Sequence, residues 1–246
     1  MIFRDSRSHS RPASAAIVSI LAVAGCSTLP GRPGPAPEVI PPDKVLTFST
    51  LYNQNCSGCH GADGKGGAAL ALADPVYLAI ADDDTIRRIT VKGVSGTQMP
   101  PFAQTEGGAL TDKQIDVLVH GMRSWARPEK LSNLNFPSYA AVPPGDAQRG
   151  ATVFATFCSG CHGPNGEGSK KASSIVNGTY LALVSDQGLR TIVIAGRPEL
   201  GHPDWRNDVP GHPMSAQEIS DVVAWLASQR PQFPGQPYPN PKQSHQ

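Results

Sequence analysis

The chain has 246 residues, 39% hydrophobic and 17% charged, with a formal charge of +1. That length holds two small domains or one large one, and a near-neutral charge without a basic stripe excludes a nucleic-acid binder. With 24 prolines and 25 glycines, a globular protein with long irregular connections is expected. In chain order, the basic stretch MIFRDSRSHSR precedes the apolar run AAIVSILAVAG, which is too short for a comfortable membrane span. Residues 1–25 therefore read as an export signal.

The apolar run stops at Cys26 in LAVAGC, which resembles the bacterial lipobox. That resemblance implies lipidation of Cys26 and an anchor on the periplasmic side of a bacterial membrane. An ordinary signal peptide or an uncleaved anchor with an incidental cysteine is the alternative. Residues 26–43 are Pro-rich and read as a tether, reaching roughly 50 Å at about 3.1 Å per residue. Residues 231–246 have a similar composition and read as a tail.

Between these ends the chain repeats itself. NQNCSGCHGADGKGG matches ATFCSGCHGPNGEGS, TIRRITVKGVSGTQMPPF matches GLRTIVIAGRPELGHPDW, and LTDKQIDVLVHGM matches MSAQEISDVVAWL. Three blocks in one order mean two copies of one domain, placed at 44–127 and 146–230 with a joint at 128–145. Each copy is predicted to be mostly helical. Ile115, Leu118, Val119 and Met122 lie on one helix face, as do Ile219, Val222, Val223 and Leu226. Thr111 with Gln114, and Ser215 with Glu218, form capping boxes.

Apart from Cys26, the cysteines form two pairs, Cys56 with Cys59 and Cys158 with Cys161, each followed at once by a histidine. A bare Cys-x-x-Cys could be a disulfide, a redox dithiol or half a zinc site. Cys-x-x-Cys-His is the attachment signature of c-type haem, and two copies inside matching repeats on an exported chain favour that reading. The four thiols would then hold two haem c groups covalently, with His60 and His162 as proximal iron ligands.

With these residues in place, each repeat resembles a class I cytochrome c domain, and the whole resembles a dihaem cytochrome c lipoprotein. The resemblance implies an all-α fold of two tandem domains joined by Pro-rich linkers. In that family a glycine eight residues before the first cysteine lets the terminal helices cross, and an aromatic on the last helix fills the space. Gly150 and Trp225 fit in the second copy. The first departs, with Phe48 where glycine is expected and Gly121 opposite. That pair reads either as a reciprocal size swap or as an early helix stop at Gly121.

The family's distal loop is similar to GTQMPPF, which makes Met99 the expected sixth ligand of the first haem, with Met122 a weaker, core-like candidate. Aligning Gly93 with Gly196 brings Met99 onto His202, Pro100 onto Pro203 and Phe102 onto Trp205. His202 is therefore expected at the second haem, giving it two histidines. Met214 is the alternative, then an open or water-filled site. Met214 aligns with Leu110, just before a capping box, where an apolar residue packs onto the helix as a staple. His212 reads as loop surface, and Asp204, Arg206 and Asp208 as a solvated loop.

The function this implies is electron transport between respiratory or photosynthetic partners, such as a quinol-oxidising complex, an oxidase or another cytochrome, with no catalytic residue. Two other readings stand beside it. One is a dihaem oxidoreductase that uses the second haem on a small substrate. The other is a fixed electron-transfer subunit of a membrane complex.

Overall fold

The computed structural model describes residues 39–127, 131 and 134–231. The export signal, Cys26, most of the tether and all but the first residue of the tail lie outside the described residues. No helix among the described residues is long and apolar enough to cross a membrane.

Ten α-helices among the described residues fall into two sets of five. The first domain holds α1 (Phe48–Asn55), α2 (Ser57–His60), α3 (Pro75–Ile80), α4 (Asp83–Lys92) and α5 (Asp112–Arg123). The second holds α6 (Ala147–Phe157), α7 (Ser159–His162), α8 (Gly178–Leu183), α9 (Asp186–Ala195) and α10 (Ala216–Ser228). Extended pairing among the described residues is limited to two isolated bridges, Ala103–Leu110 and Arg197–His202. The fold is all-α, with two tandem domains.

The local signals that start and stop the helices are duplicated. Asp74 caps α3 through the amides of Val76 and Tyr77, and Asn177 caps α8 through those of Thr179 and Tyr180. Both expected capping boxes form, on α5 and on α10. Helices α4 and α9 end at Gly93 (φ 65°) and Gly196 (φ 70°), a backbone conformation that side-chain-bearing residues rarely adopt.

One duplicated device escapes a residue-by-residue alignment. Arg123 donates to the carbonyls of Leu78 and, at 2.7 Å, Ala81, and to the Asp83 carboxylate at 2.7 Å. Arg230 does the same for Leu181 at 3.0 Å, Val184 at 2.8 Å and Asp186. The acceptors correspond one to one, but the arginines do not. Arg123 is the last residue of α5, whereas Arg230 lies beyond the end of α10. In both domains the guanidinium satisfies carbonyls left unpaired at a helix end.

The terminal helices cross differently in the two domains. A Cβ on Gly150 would lie 2.0 Å from the backbone oxygen of Asp221 and 2.7 Å from Cβ of Trp225, so α6 and α10 touch backbone to backbone. The Phe154 and Trp225 rings stack beside the crossing with centroids 4.2 Å apart. In the first domain a Cβ on Gly121 would meet the Phe48 ring at 2.0 Å. The size swap is therefore real, and α5 runs past Gly121 to Arg123 rather than stopping there. The aromatic is not missing but lies just past the end of α5. Trp125, one turn beyond Gly121, meets Phe48 at 5.2 Å and Tyr52 edge-on at 5.0 Å.

A single apolar cluster joins the domains. It includes Leu51, Tyr77, Leu118 and Met122 of the first and Phe154, Ile194, Trp205, Met214 and Ile219 of the second. Helix α9 packs against α3. The joint also serves the second domain: Arg190, 1% exposed, donates to the carbonyls of Ser138 (2.9 Å) and Tyr139 (3.1 Å) and to the Ser220 hydroxyl (3.1 Å).

Candidate functional site

Each Cys-x-x-Cys-His begins at the C-terminal end of the domain's first helix and closes on a single helical turn. His60 bonds the Leu70 carbonyl through Nδ1 at 2.7 Å, and His162 bonds the Ser173 carbonyl through Nδ1 at 2.8 Å. A carbonyl only accepts, so Nδ1 carries the proton in each ring and Nε2 keeps its lone pair. That is the state of an imidazole able to bind iron, with its orientation fixed by the loop behind it.

The four motif cysteines are free of disulfides. The two thiols of each pair, expected as joint attachment points, are not equivalent. Cys56 and Cys158 are half-buried, but Cys59 and Cys161 are exposed. The reason lies in where the motif sits. Cys158 closes the packed helix α6, whereas Cys161 lies within the short turn α7, of which no residue is buried. The backbone of each exposed cysteine is still tied to the loop that follows. The Ala69 amide donates to the Cys59 carbonyl at 2.9 Å, and the Ser169 hydroxyl donates to the Cys161 carbonyl at 2.5 Å. Burial pushes the free Cys56 thiol up to about 11 and the free Cys158 thiol up to about 12. Among the described residues no three His, Cys, Asp or Glu side chains group as a metal site made by protein alone.

The distal loops share one register. The Val94 amide donates to the Met99 carbonyl at 2.9 Å, and the Arg197 amide donates to the His202 carbonyl at 3.0 Å. A Cβ on Gly93 would strike Met99 O and Pro100 C, and one on Gly196 would strike His202 O and Pro203 C. The amide of Leu110 donates to Phe102 O at 2.8 Å, and that of Met214 to Trp205 O at 2.8 Å. Met99 and His202 therefore occupy one structural position, and Leu110 and Met214 another. Met214 is 3% exposed and lies in the core with Ile219. Met122 is likewise core, 3% exposed.

The donor set at the second site fits a haem. Two imidazoles would offer iron one nitrogen each, and the ring centres of His162 and His202 stand 6.1 Å apart. Nδ1 of His202 is buried with no hydrogen-bond partner. Burial, then the neighbouring His162, lowers the pKa of His202, and burial lowers that of His60. Both rings are thus held neutral, the form that ligates a metal.

Two loop residues differ from expectation in degree. Asp204 forms a two-pronged ion pair with Arg206, at 2.6 and 3.0 Å. Asp208 is not simply solvated: burial, then the Asp204 charge, pushes its carboxyl up to about 7. His212 is exposed as expected, with its ring edge against Phe157. A residue the sequence reading passed over is Arg197, whose side chain is 12% exposed. It donates to the Glu199 carboxylate at 2.6 Å and, across the domains, to the Gly67 carbonyl at 2.8 Å.

A family model for cytochrome c matches residues 147–230, and one for subunit III of cbb3-type cytochrome c oxidase matches residues 44–120. The chain is 31% identical over 138 residues to the cbb3-type cytochrome c oxidase subunit CcoP of Azospirillum sp. strain B510, covering 50% of this chain and 40% of that protein. It is 29% identical to the cbb3-type subunit FixPc of Rhizobium leguminosarum bv. viciae, over 49% of this chain and 39% of that one. A thiosulfate dehydrogenase electron acceptor of Stutzerimonas stutzeri is 28% identical over 70% of this chain and 78% of its own. The chain thus spans about two fifths of the length of the oxidase subunits it matches. Matched in both halves, it belongs to the cytochrome c family, as a tandem of two cytochrome c domains with two haem c groups.

Proposed function

We propose that this chain is an electron carrier in which His60 and Met99 ligate the first haem iron, and His162 and His202 the second. Cys56 with Cys59, and Cys158 with Cys161, hold the porphyrins. The single observation that supports this reading is His202 in the register that Met99 occupies in the first domain, with its ring centre 6.1 Å from that of His162. Haem iron supplies one-electron exchange between ferric and ferrous states. The chain's residues supply burial, fixed axial side chains and orientation. The Leu70 and Ser173 carbonyls hold the proximal rings. The hydrogen bonds Val94–Met99 and Arg197–His202 hold the distal residues. The exposure of Cys59 and Cys161 fits a haem edge turned to solvent, where a redox partner docks. A thioether favours ferrous iron and an imidazole favours ferric iron, so the second site has the lower potential.

The partners that fit are respiratory: an oxidase, a quinol-oxidising complex, a dehydrogenase or another cytochrome. The matches to oxidase subunits and to an electron acceptor support that class. The chain works on the periplasmic side of a membrane, tethered through a lipid on Cys26.

Low-temperature EPR of the oxidised full-length protein tests the ligation. The expected result is one signal from a bis-histidine iron and one from a His/Met iron. Cyanide binding to the resting protein would instead point to an open second site and to the oxidoreductase reading. A Cys26→Ala variant released from membranes without detergent is the result expected for the anchor.

A further inference from the structure

Arg197 is placed against both sites at once. Its amide and carbonyl pair with the carbonyl and amide of His202, at 3.0 and 3.1 Å. Its guanidinium bonds the Gly67 carbonyl at 2.8 Å. Gly67 in turn is packed on the backbone that carries the first motif, since a Cβ there would lie 2.1 Å from Cys59 O and 2.6 Å from Gly61 N. One side chain therefore ties the distal loop of the second site to the loop beside His60. The corresponding position of the first domain holds Val94, so the arrangement is not a feature of the repeat.

From this geometry we infer that Arg197 is a positioning residue shared by both haem sites, which fixes one against the other and raises the reduction potential of both. The inference rests on the ligation proposed above. A ferric centre carries one more positive charge than a ferrous one, so a fixed cation beside it favours the reduced state. With its side chain 12% exposed, this cation is poorly screened by water or salt. Glu199, at 2.6 Å, offsets part of the charge and is the means by which the chain limits it.

The test is a spectroelectrochemical titration of full-length holoprotein, resolving both haems, in wild type, R197Q, R197K and E199Q, with EPR and a thermal melt on each. R197Q is expected to lower both potentials, R197K to restore them towards wild type, and E199Q to raise both. The shifts should persist at high ionic strength. Movement of one haem only, of neither, or an equal fall in R197Q and R197K overturns the inference. Should R197Q fail to fold, E199Q carries the test, because it leaves the Gly67 contact in place. Wild-type protein without a bis-histidine signal overturns the ligation reading and this inference with it. A wild type with that signal and unmoved potentials overturns this inference alone.

Discussion

The two domains solve the same packing problem with different residues. In the second, the terminal helices meet backbone to backbone at Gly150, and a stacked Phe154–Trp225 pair fills the side. In the first, Phe48 fills the gap over Gly121, and Trp125 reaches the same cluster from one turn further along. The arginines show the same divergence. Arg87 pairs with Asp116 on the surface, while its counterpart Arg190 is buried and meets Ser220, which stands where Asp116 does. The joint's carbonyls replace the lost carboxylate. A repeat thus preserves positions in space better than it preserves residue types.

Exchanging the residue at the shared distal position has the largest expected effect. His202→Met should raise the potential of the second haem by a sizeable part of the roughly 0.8 V that axial ligands span, and should abolish the bis-histidine EPR signal. Redox titration checks both points. An unchanged potential would mean that His202 does not bind the iron.

The crossings come next. Gly150→Ala forces a Cβ into fixed backbone and should cost about 2–3 kcal/mol. Gly121→Ala meets only a ring at the first residue of α1, which can swing aside. It should cost about 1 kcal/mol or less, since alanine's helix preference offsets part of the clash. Adding Phe48→Ala should relieve Gly121→Ala, and denaturant melts of the double-mutant cycle measure the coupling.

Smaller effects separate the arginines. Arg190→Met strands the Ser138 and Tyr139 carbonyls and should cost about 1–3 kcal/mol, whereas Arg87→Met should stay within about 1 kcal/mol, as exposed ion pairs do. Chemical denaturation of the two variants compares them directly.

The smallest contrast is in acid. The Arg149 guanidinium, aided by the amide of Asp146, holds the Asp221 carboxyl below its usual value. Asp221 is 2% exposed. A depressed folded pKa lends stability that is complete above the unfolded value of about 3.9 and is lost as pH falls through the lower folded one. The first domain has Val117 at that position, so Asp221→Asn should flatten the acid limb of the second domain's unfolding and leave the first unmoved. Circular dichroism in the Soret band, followed against pH, resolves this.

Much of this was legible in the sequence. The Cys-x-x-Cys-His motifs, both capping boxes, the all-α class and the register of Met99 with His202 all follow from local spacing, because short-range hydrogen bonds set them. Met214 was legible for the same reason: its place before Ser215 fixes where it packs. The exposure of Cys161 beside a half-buried Cys158 was not, because the motif sets the spacing of the thiols but not the depth of the turn that carries them. Trp125 and the Arg123–Arg230 clamp were hidden as well. Three or four residues of helical rise amount to about 4.5–6 Å, a distance that a guanidinium or an indole can span, so one spatial role can be filled from two sequence positions. Arg197 escaped for another reason. Its partner Gly67 lies in the other domain, and no pattern within one repeat can announce it.

The grip of Arg190 on the joint has a consequence for the integrity of the chain. Ser138 and Tyr139 are held on one side of the exposed stretch 140–146, and the Asp146 amide is held by Asp221 on the other. A single proteolytic cut in that stretch would leave both new ends docked. The two fragments, still buried together along α3 and α9, should migrate as one non-covalent complex through gel filtration and part only in denaturant.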